Sequence, residues 1–197
     1  RTDRSVTDSA SPIDIISAED INAQPTANML DTVRNIVPSF FVPQNTISDA
    51  STFVRAPSLR GLPSDQVLVL LNGKRFNRSA LVQVYNGGDT GLSFGSHGAD
   101  LASIPSIAVK KLEVLRDGAT AQYGSDAIAG VLNYGLRDDT GVEFIARYGQ
   151  FQEDSDGESQ VFAANFGIAL GDRGFANLSA EYNDVGQTSR GVTRPVR

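Results

Sequence analysis

The stretch LEVLRDGATAQYGSDAIAGVLN, residues 112–133, decides the fold. It opens with an apolar strand, LEVL, turns through the charged Arg116-Asp117-Gly118, and continues in small residues before a second apolar run. Ala119, Ala121, Gly124, Ala127, Ala129 and Gly130 carry little side chain to obstruct a close approach. It is no nucleophile elbow: YGSDA (123–127) lacks the G-x-S-x-G frame, and no histidine base stands in a matching motif.

Upstream, PIDIIS places a short strand at 12–17, and Ser17 with Asp20 approaches a capping box for a helix that begins there. Met29, Leu30, Val33, Ile36 and Val37 recur at helical spacing from near Thr26 until Pro38 stops the run. The pattern predicts two short amphipathic helices on a sheet. Val67–Leu71 is continuously apolar, as a strand covered on both faces requires. Asn72-Gly73 then supplies a hairpin turn. The connections 39–58 and 76–100 lack periodicity and are long enough to be functional.

After residue 140 the pattern becomes strict alternation. Val142, Phe144, Ala146 and Tyr148 share one face, as do Phe162, Ala164, Phe166, Ile168 and Leu170, and again Ala176, Leu178, Ala180 and Tyr182. The intervening residues are mostly polar or small, Ile145 and Val161 apart. A long acidic loop (152–159) alternates with a tight GDRG turn (171–174), and Tyr148, Phe151 and Tyr182 fall near the long-loop ends. Unequal loops and an aromatic girdle characterise outer-membrane barrels. The strands alone also suit a soluble sandwich.

Composition narrows the function. A net charge of −6 argues against nucleic-acid binding, which needs a basic surface to neutralise phosphates. With no cysteine and a single histidine, His97, neither a thiolate nor a histidine-based metal cluster can be built. The 19 glycines in 197 residues exceed the usual share of roughly 7%, which signals many turns. No apolar run reaches the roughly 18 residues of a transmembrane helix, and no signal peptide is visible. The acidic 153–159 lacks the spacing of an EF-hand, and 91–98 does not join a strand to a helix as a phosphate loop does.

Four ordered motifs resemble one family. LEVLRDGATAQYGSDAIAGVLN is similar to the signature that closes the plug of TonB-dependent outer-membrane receptors, E-V-L-R-G-P, then A-x-Y-G, then A-I-G-G-V-I-N. SPIDIISAEDI, MLDTVRNIVPSF and SLRGLPSDQVLVLLNGKR precede it in the family's order. The resemblance covers roughly residues 4–138. Asp117-Gly118 replaces the common Gly-Pro, and NYGLRDD replaces the usual N-I-x-T-K ending. The family's docking box for TonB is not visible.

The resemblance implies an α/β plug, a small mixed sheet of four strands with short helices, inside a 22-stranded transmembrane β-barrel. The plug is expected over 1–139, with a periplasmic-side tail of about 1–11, and the first three barrel strands over 140–197; the break at Arg197 implies a fragment or one half of a cleaved chain. The implied function is import of a scarce nutrient (an iron chelate, vitamin, haem or oligosaccharide) across the outer membrane of a Gram-negative bacterium. TonB, the rest of the barrel and outer-membrane lipid are the implied partners. No cofactor and no catalysis are expected. A receptor of the same fold acting in signalling or surface assembly is the alternative; more remote is a secreted β-rich carbohydrate-binding protein or hydrolase. Arg60 and Arg116 occupy the family's LRG and EVLR arginines, which latch the plug to barrel glutamates; the same resemblance implies that the small residues from Ala119 to Gly130 pack closely against the barrel wall outside the plug. Phe41, Gln44, Asn45, Arg78, Tyr85, Asn86 and His97 are expected at ligand-facing apices, where His97 is more simply a hydrogen-bonded histidine than a haem ligand.

Overall fold

The computed structural model describes residues 13–23, 29–43, 53–83, 94–116, 120–151, 156–171 and 174–188. The chain divides into two compact units between Arg137 and Asp138, two residues before the division that the resemblance implies.

In the first unit, strand β1 (Ile13–Ser17) leads into helix α1 (Ala18–Ala23), followed by α2 (Met29–Ile36). The capping box forms with aspartate in the role of glutamate. The Ser17 hydroxyl accepts the Asp20 N–H at 3.2 Å, while Asp20 accepts the Ser17 N–H at 3.0 Å and its hydroxyl at 2.7 Å. These bonds from Ser17 hold the Asp20 carboxyl below its ordinary pKa. A carboxylate of lowered pKa stabilises the fold above its unfolded pKa, and the contribution vanishes as pH falls through the folded value. Ser17→Ala is therefore expected to lower stability at neutral pH, through loss of the cap and of the bonds that favour the Asp20 carboxylate. In thermal unfolding of the two proteins, that difference should shrink below pH 4.

Two short strands, β2 (Phe40–Phe41) and β3 (Ser58–Leu59), pair antiparallel as a small ribbon. The connection expected over 39–58 thus carries structure at both ends, although two-residue strands are too short to leave a periodicity. Strand β4 (Val67–Leu71) and β5 (Lys74–Arg75) flank the Asn72-Gly73 turn, both of whose residues have positive φ, as a tight hairpin demands. Asn72 also accepts the Leu136 N–H at 2.8 Å, and Gly73 donates to the Asn133 side chain at 2.9 Å. Strands β6 (Val109–Leu115) and β7 (Gly130–Leu136) complete the sheet, with helix α3 (Thr120–Tyr123) between them.

The sheet order is β1-β6-β7-β4-β5. Only β4 and β7 run parallel, so the sheet is mixed, with β5 a two-residue addition to the four strands the family implies. As the unbroken apolar run of β4 requires, both its faces are covered. Val67 and Val69 join Ile21, Leu30, Val33, Leu112, Val114 and Leu132 in the main core. Leu68 and Leu70 pack with Ala127 and Val131 on the other face. Ala129 is fully buried, so Ala127 and Ala129 are small because of the plug's own interior. This corrects the expectation that the whole small-residue segment meets an outside wall.

The second unit is a sheet of β8 (Gly141–Gly149), β9 (Ser159–Leu170) and β10 (Gly174–Val185) in the order β10-β9-β8. Register aligns Val142, Phe166 and Leu178 in one row, Phe144, Ala164 and Ala180 in the next, then Ala146, Phe162 and Tyr182. Phe144, Leu178 and Tyr182 are 77%, 73% and 61% exposed, an apolar face that a water-soluble sheet would cover. Its alanines floor a shallow groove of about 400 Å³ bordered by Phe144, Phe162 and Tyr182. The opposite face is mostly polar or small, with Ile145 and the buried Val161 and Ala163 on it, and there Asn165 bonds the side chains of Asn177 at 3.1 Å and Ser179 at 2.8 Å. Among the described residues, no helix is long and apolar enough to cross a membrane, which leaves strands free to do so.

Candidate functional site

The functional features of the first unit gather where β4 and β7 begin and β6 ends. There Leu59-Arg60-Gly61-Leu62 makes a tight turn. The Leu62 N–H bonds the Leu59 carbonyl at 3.0 Å, and both central residues have positive φ, 57° at Arg60 and 73° at Gly61. Glycine adopts that geometry freely; arginine does so with strain, a condition that clusters at functional positions. The turn is fixed from both sides, because Arg60 donates its N–H to Ser39 at 2.8 Å and Ser58 donates its hydroxyl to the Leu62 carbonyl at 2.8 Å.

Arg60 and Arg116 are brought together. The Arg60 Nη1 donates to the Arg116 carbonyl at 2.7 Å. The Arg116 guanidinium in turn holds Asp14 of β1, with Nη2 at 2.8 and 3.0 Å from the two carboxylate oxygens. Arg116 Nε is buried and has no hydrogen-bond partner among the described residues, so this side chain retains a donor there. Sequence spacing gives no sign of the Asp14 partner, which lies 102 residues away.

A second feature is a cleft of about 430 Å³ whose lining includes Ser64, Asp65, Arg75, Arg78, His97 and Asp126. Two arms build it. Residues 76–83 and 94–100 run side by side, joined by Ser79 to Gly98 at 2.9 Å and Gln83 to Ser96 at 2.9 Å. His97 engages the Ser79 carbonyl through Nε2, and the Ser64 and Ser96 hydroxyls bond at 3.2 Å beneath. No side chain fits at Gly98, where a Cβ would fall 2.6 Å from Ser64.

Asp126 ion-pairs with Arg75, closely, and with Arg78 at 3.5 Å. Partial burial pushes its carboxyl pKa up; the bond and charge of Arg75, the Ser125 hydroxyl and the charge of Arg78 outweigh this and hold it below the ordinary value. Of the residues expected at the ligand-facing apices, Arg78 and His97 thus share one cleft. Phe41 lies elsewhere, on β2, with the Arg34 guanidinium 5.5 Å from its ring centroid. Gln44, Asn45, Tyr85 and Asn86 lie outside the described residues. Arg75 and Asp126 escape a reading of the sequence. Arg75 sits beside the hairpin turn, where a lysine or arginine ordinarily serves only solubility, and Asp126 is hidden in a motif otherwise made of small residues.

Comparison with known proteins bears on the family and the fold. The family model for the TonB-dependent receptor plug domain matches residues 5–131. Among solved structures, the siderophore receptor PirA from Acinetobacter baumannii is similar at 25% identity and a TM-score of 0.66, over 91% of this chain and 25% of that one. A ferric enterobactin receptor mutant from Pseudomonas aeruginosa, solved with enterobactin, shares 22% identity at a TM-score of 0.62 over 90% and 25% of the two chains. The ferric citrate transporter FecA, unliganded, shares 22% identity at 0.59 over 90% and 26%. The chain spans about a quarter of the length of these structures. With four ordered motifs, a mixed plug sheet and antiparallel strands after it, the chain belongs to the TonB-dependent receptor family, as its plug domain and the strands that follow.

Proposed function

We propose that this chain is the plug and first barrel strands of an outer-membrane receptor that imports a scarce nutrient in a TonB-dependent manner. The observation that carries the proposal is the junction of a plug-family unit to a sheet with one apolar face exposed and one mostly polar face hydrogen-bonded. Such a sheet suits a barrel wall with lipid on one side and a filled lumen on the other. The similar receptors for siderophores, enterobactin and ferric citrate make a ferric chelate the first substrate to test.

In this reading Arg60 and Arg116 are the plug's latch, paired with glutamates of the barrel wall. The spare Arg116 donor and the strained backbone at Arg60 support that role. A buried pair of this kind is costly to break from one side, as a latch requires.

The test is uptake of labelled ferric chelates by cells expressing the full-length receptor under iron limitation. Uptake is expected to stop on deletion of TonB or collapse of the proton gradient. In the same cells, Arg60→Asn combined with Arg116→Gln should leave chelate binding intact but let large antibiotics leak through the receptor. Chelate uptake that persists without TonB contradicts the transport reading; an unaltered antibiotic barrier contradicts the latch.

A further inference from the structure

Arg75 and Arg78 hold a carboxylate that belongs to the protein itself. Asp126 reaches both through one oxygen, Oδ2, its other oxygen accepting the Ser125 hydroxyl at 3.3 Å. A guanidinium is built for two-oxygen, fork-to-fork pairing with a carboxylate, so a single shared oxygen uses little of what two arginines offer. The arginine side chains are 54% and 47% exposed, against 27% for Asp126. A carboxylate arriving from solution therefore meets the cations from their open side. The cleft volume of about 430 Å³ lies in the range of small-molecule sites.

We infer that this cleft is a polycarboxylate site occupied at rest by an internal carboxylate, and that a ligand bearing several carboxylates, free or as a metal chelate, displaces Asp126 from Arg75 and Arg78. Displacement has a structural consequence. Asp126 lies in the 3₁₀ turn 125–127, and the Ala129 N–H that follows bonds the Gln66 carbonyl at 3.0 Å. Next comes Gly130, packed against Leu115 and Leu59, the residues directly before Arg116 and Arg60. Losing the Asp126 anchor loosens the turn joined to both arginines of the latch. The inference deepens the receptor reading and rests on it only for the transport of the bound ligand.

The internal carboxylate makes the sign of one mutation unusual. A site available only when Asp126 is away binds its ligand more weakly by the fraction of time it is free. Asp126→Asn removes the competitor and is expected to tighten binding about fivefold, the upper end for an exposed ion pair. Arg75→Ala and Arg78→Ala are each expected to weaken it at least roughly tenfold, as lost charge-assisted bonds do.

The experiment titrates the full-length receptor, purified in detergent, with tricarballylate by calorimetry; its trimethyl ester is the uncharged control. Amide hydrogen exchange over 124–130 is followed in parallel, and should speed up on tricarballylate binding to wild type. In Asp126→Asn it should be fast from the start and indifferent to ligand. Equal or weaker binding by a folded Asp126→Asn overturns the inference, as does binding of the ester as tightly as the acid. Should that variant not fold, unchanged exchange in saturated wild type overturns it alone, and so does the absence of any tricarballylate binding. None of these readouts needs TonB or an energised membrane, so a failed uptake assay and a failed binding assay identify different errors.

Discussion

Replacing Gly130 with alanine is expected to cost roughly 3–5 kcal/mol, from backbone strain and overpacking together. Gly130 opens β7 at φ 145°, a conformation that L side chains rarely adopt. A Cβ there would also fall onto the Leu115 carbonyl and within 2.5 Å of a Leu59 methyl. Neither neighbour can yield easily. The carbonyl belongs to the end of β6, and Leu59 is fully buried beside the strained Arg60 turn. Gly124 separates the two causes. Its φ is 95°, yet nothing lies within 4 Å of a Cβ built on it, so Gly124→Ala should cost about 1 kcal/mol from strain alone. Calorimetry of the full-length receptor, reading the plug transition, compares the two. Equal losses would mean that the close approach at Gly130 relaxes and contributes nothing.

The same segment shows what a linear reading can and cannot supply. Features set by neighbours in sequence were legible: the Ser17–Asp20 cap, the Asn72-Gly73 hairpin, the helical spacing of Met29 to Ile36, and the unbroken apolar run of β4. Each depends on residues within a few positions of one another, where backbone geometry fixes the spacing. Features set by the meeting of distant segments were not. The β2–β3 ribbon joins residues about 18 apart in strands of two residues each, too short to carry a pattern. Arg75 and Asp126 are 51 positions apart, and Asp14 and Arg116 are 102 apart. The expectation that Ala127 and Ala129 face an outside wall failed for a related reason. Small residues announce close approach, but not which surface approaches; here it is the plug's own sheet. The resemblance to the receptor family supplied topology that spacing could not, yet it is silent on the Asp126 ion pairs, because Asp126 falls between the A-x-Y-G and A-I-G-G-V-I-N blocks of the signature.

Ala164→Arg is expected to destabilise the assembled protein by roughly 2–4 kcal/mol, the penalty for arginine on the lipid face of a barrel near the bilayer midplane. Ala164 is central in the nine-row ladder of β8 on β9, between Phe144 and Ala180 and below the rings of Phe144, Phe162 and Tyr182. Strands of 12 residues in β9 and β10 exceed the roughly 9–11 that a tilted strand needs to cross the bilayer, so the midplane falls within the ladder. In a water-soluble sheet the same arginine would extend from a half-open groove and cost little. Asn183→Arg is the matched control: an exposed position on the same sheet, on the opposite face, where added charge meets no lipid. Heat-modifiable migration of the full-length receptor from isolated outer membranes reads the outcome. The barrel assignment expects the folded band to weaken or vanish for Ala164→Arg and to persist for Asn183→Arg. Equal folded fractions would instead place the apolar face against protein, and a partner surface, rather than lipid, would have to explain why Phe144, Leu178 and Tyr182 stand exposed.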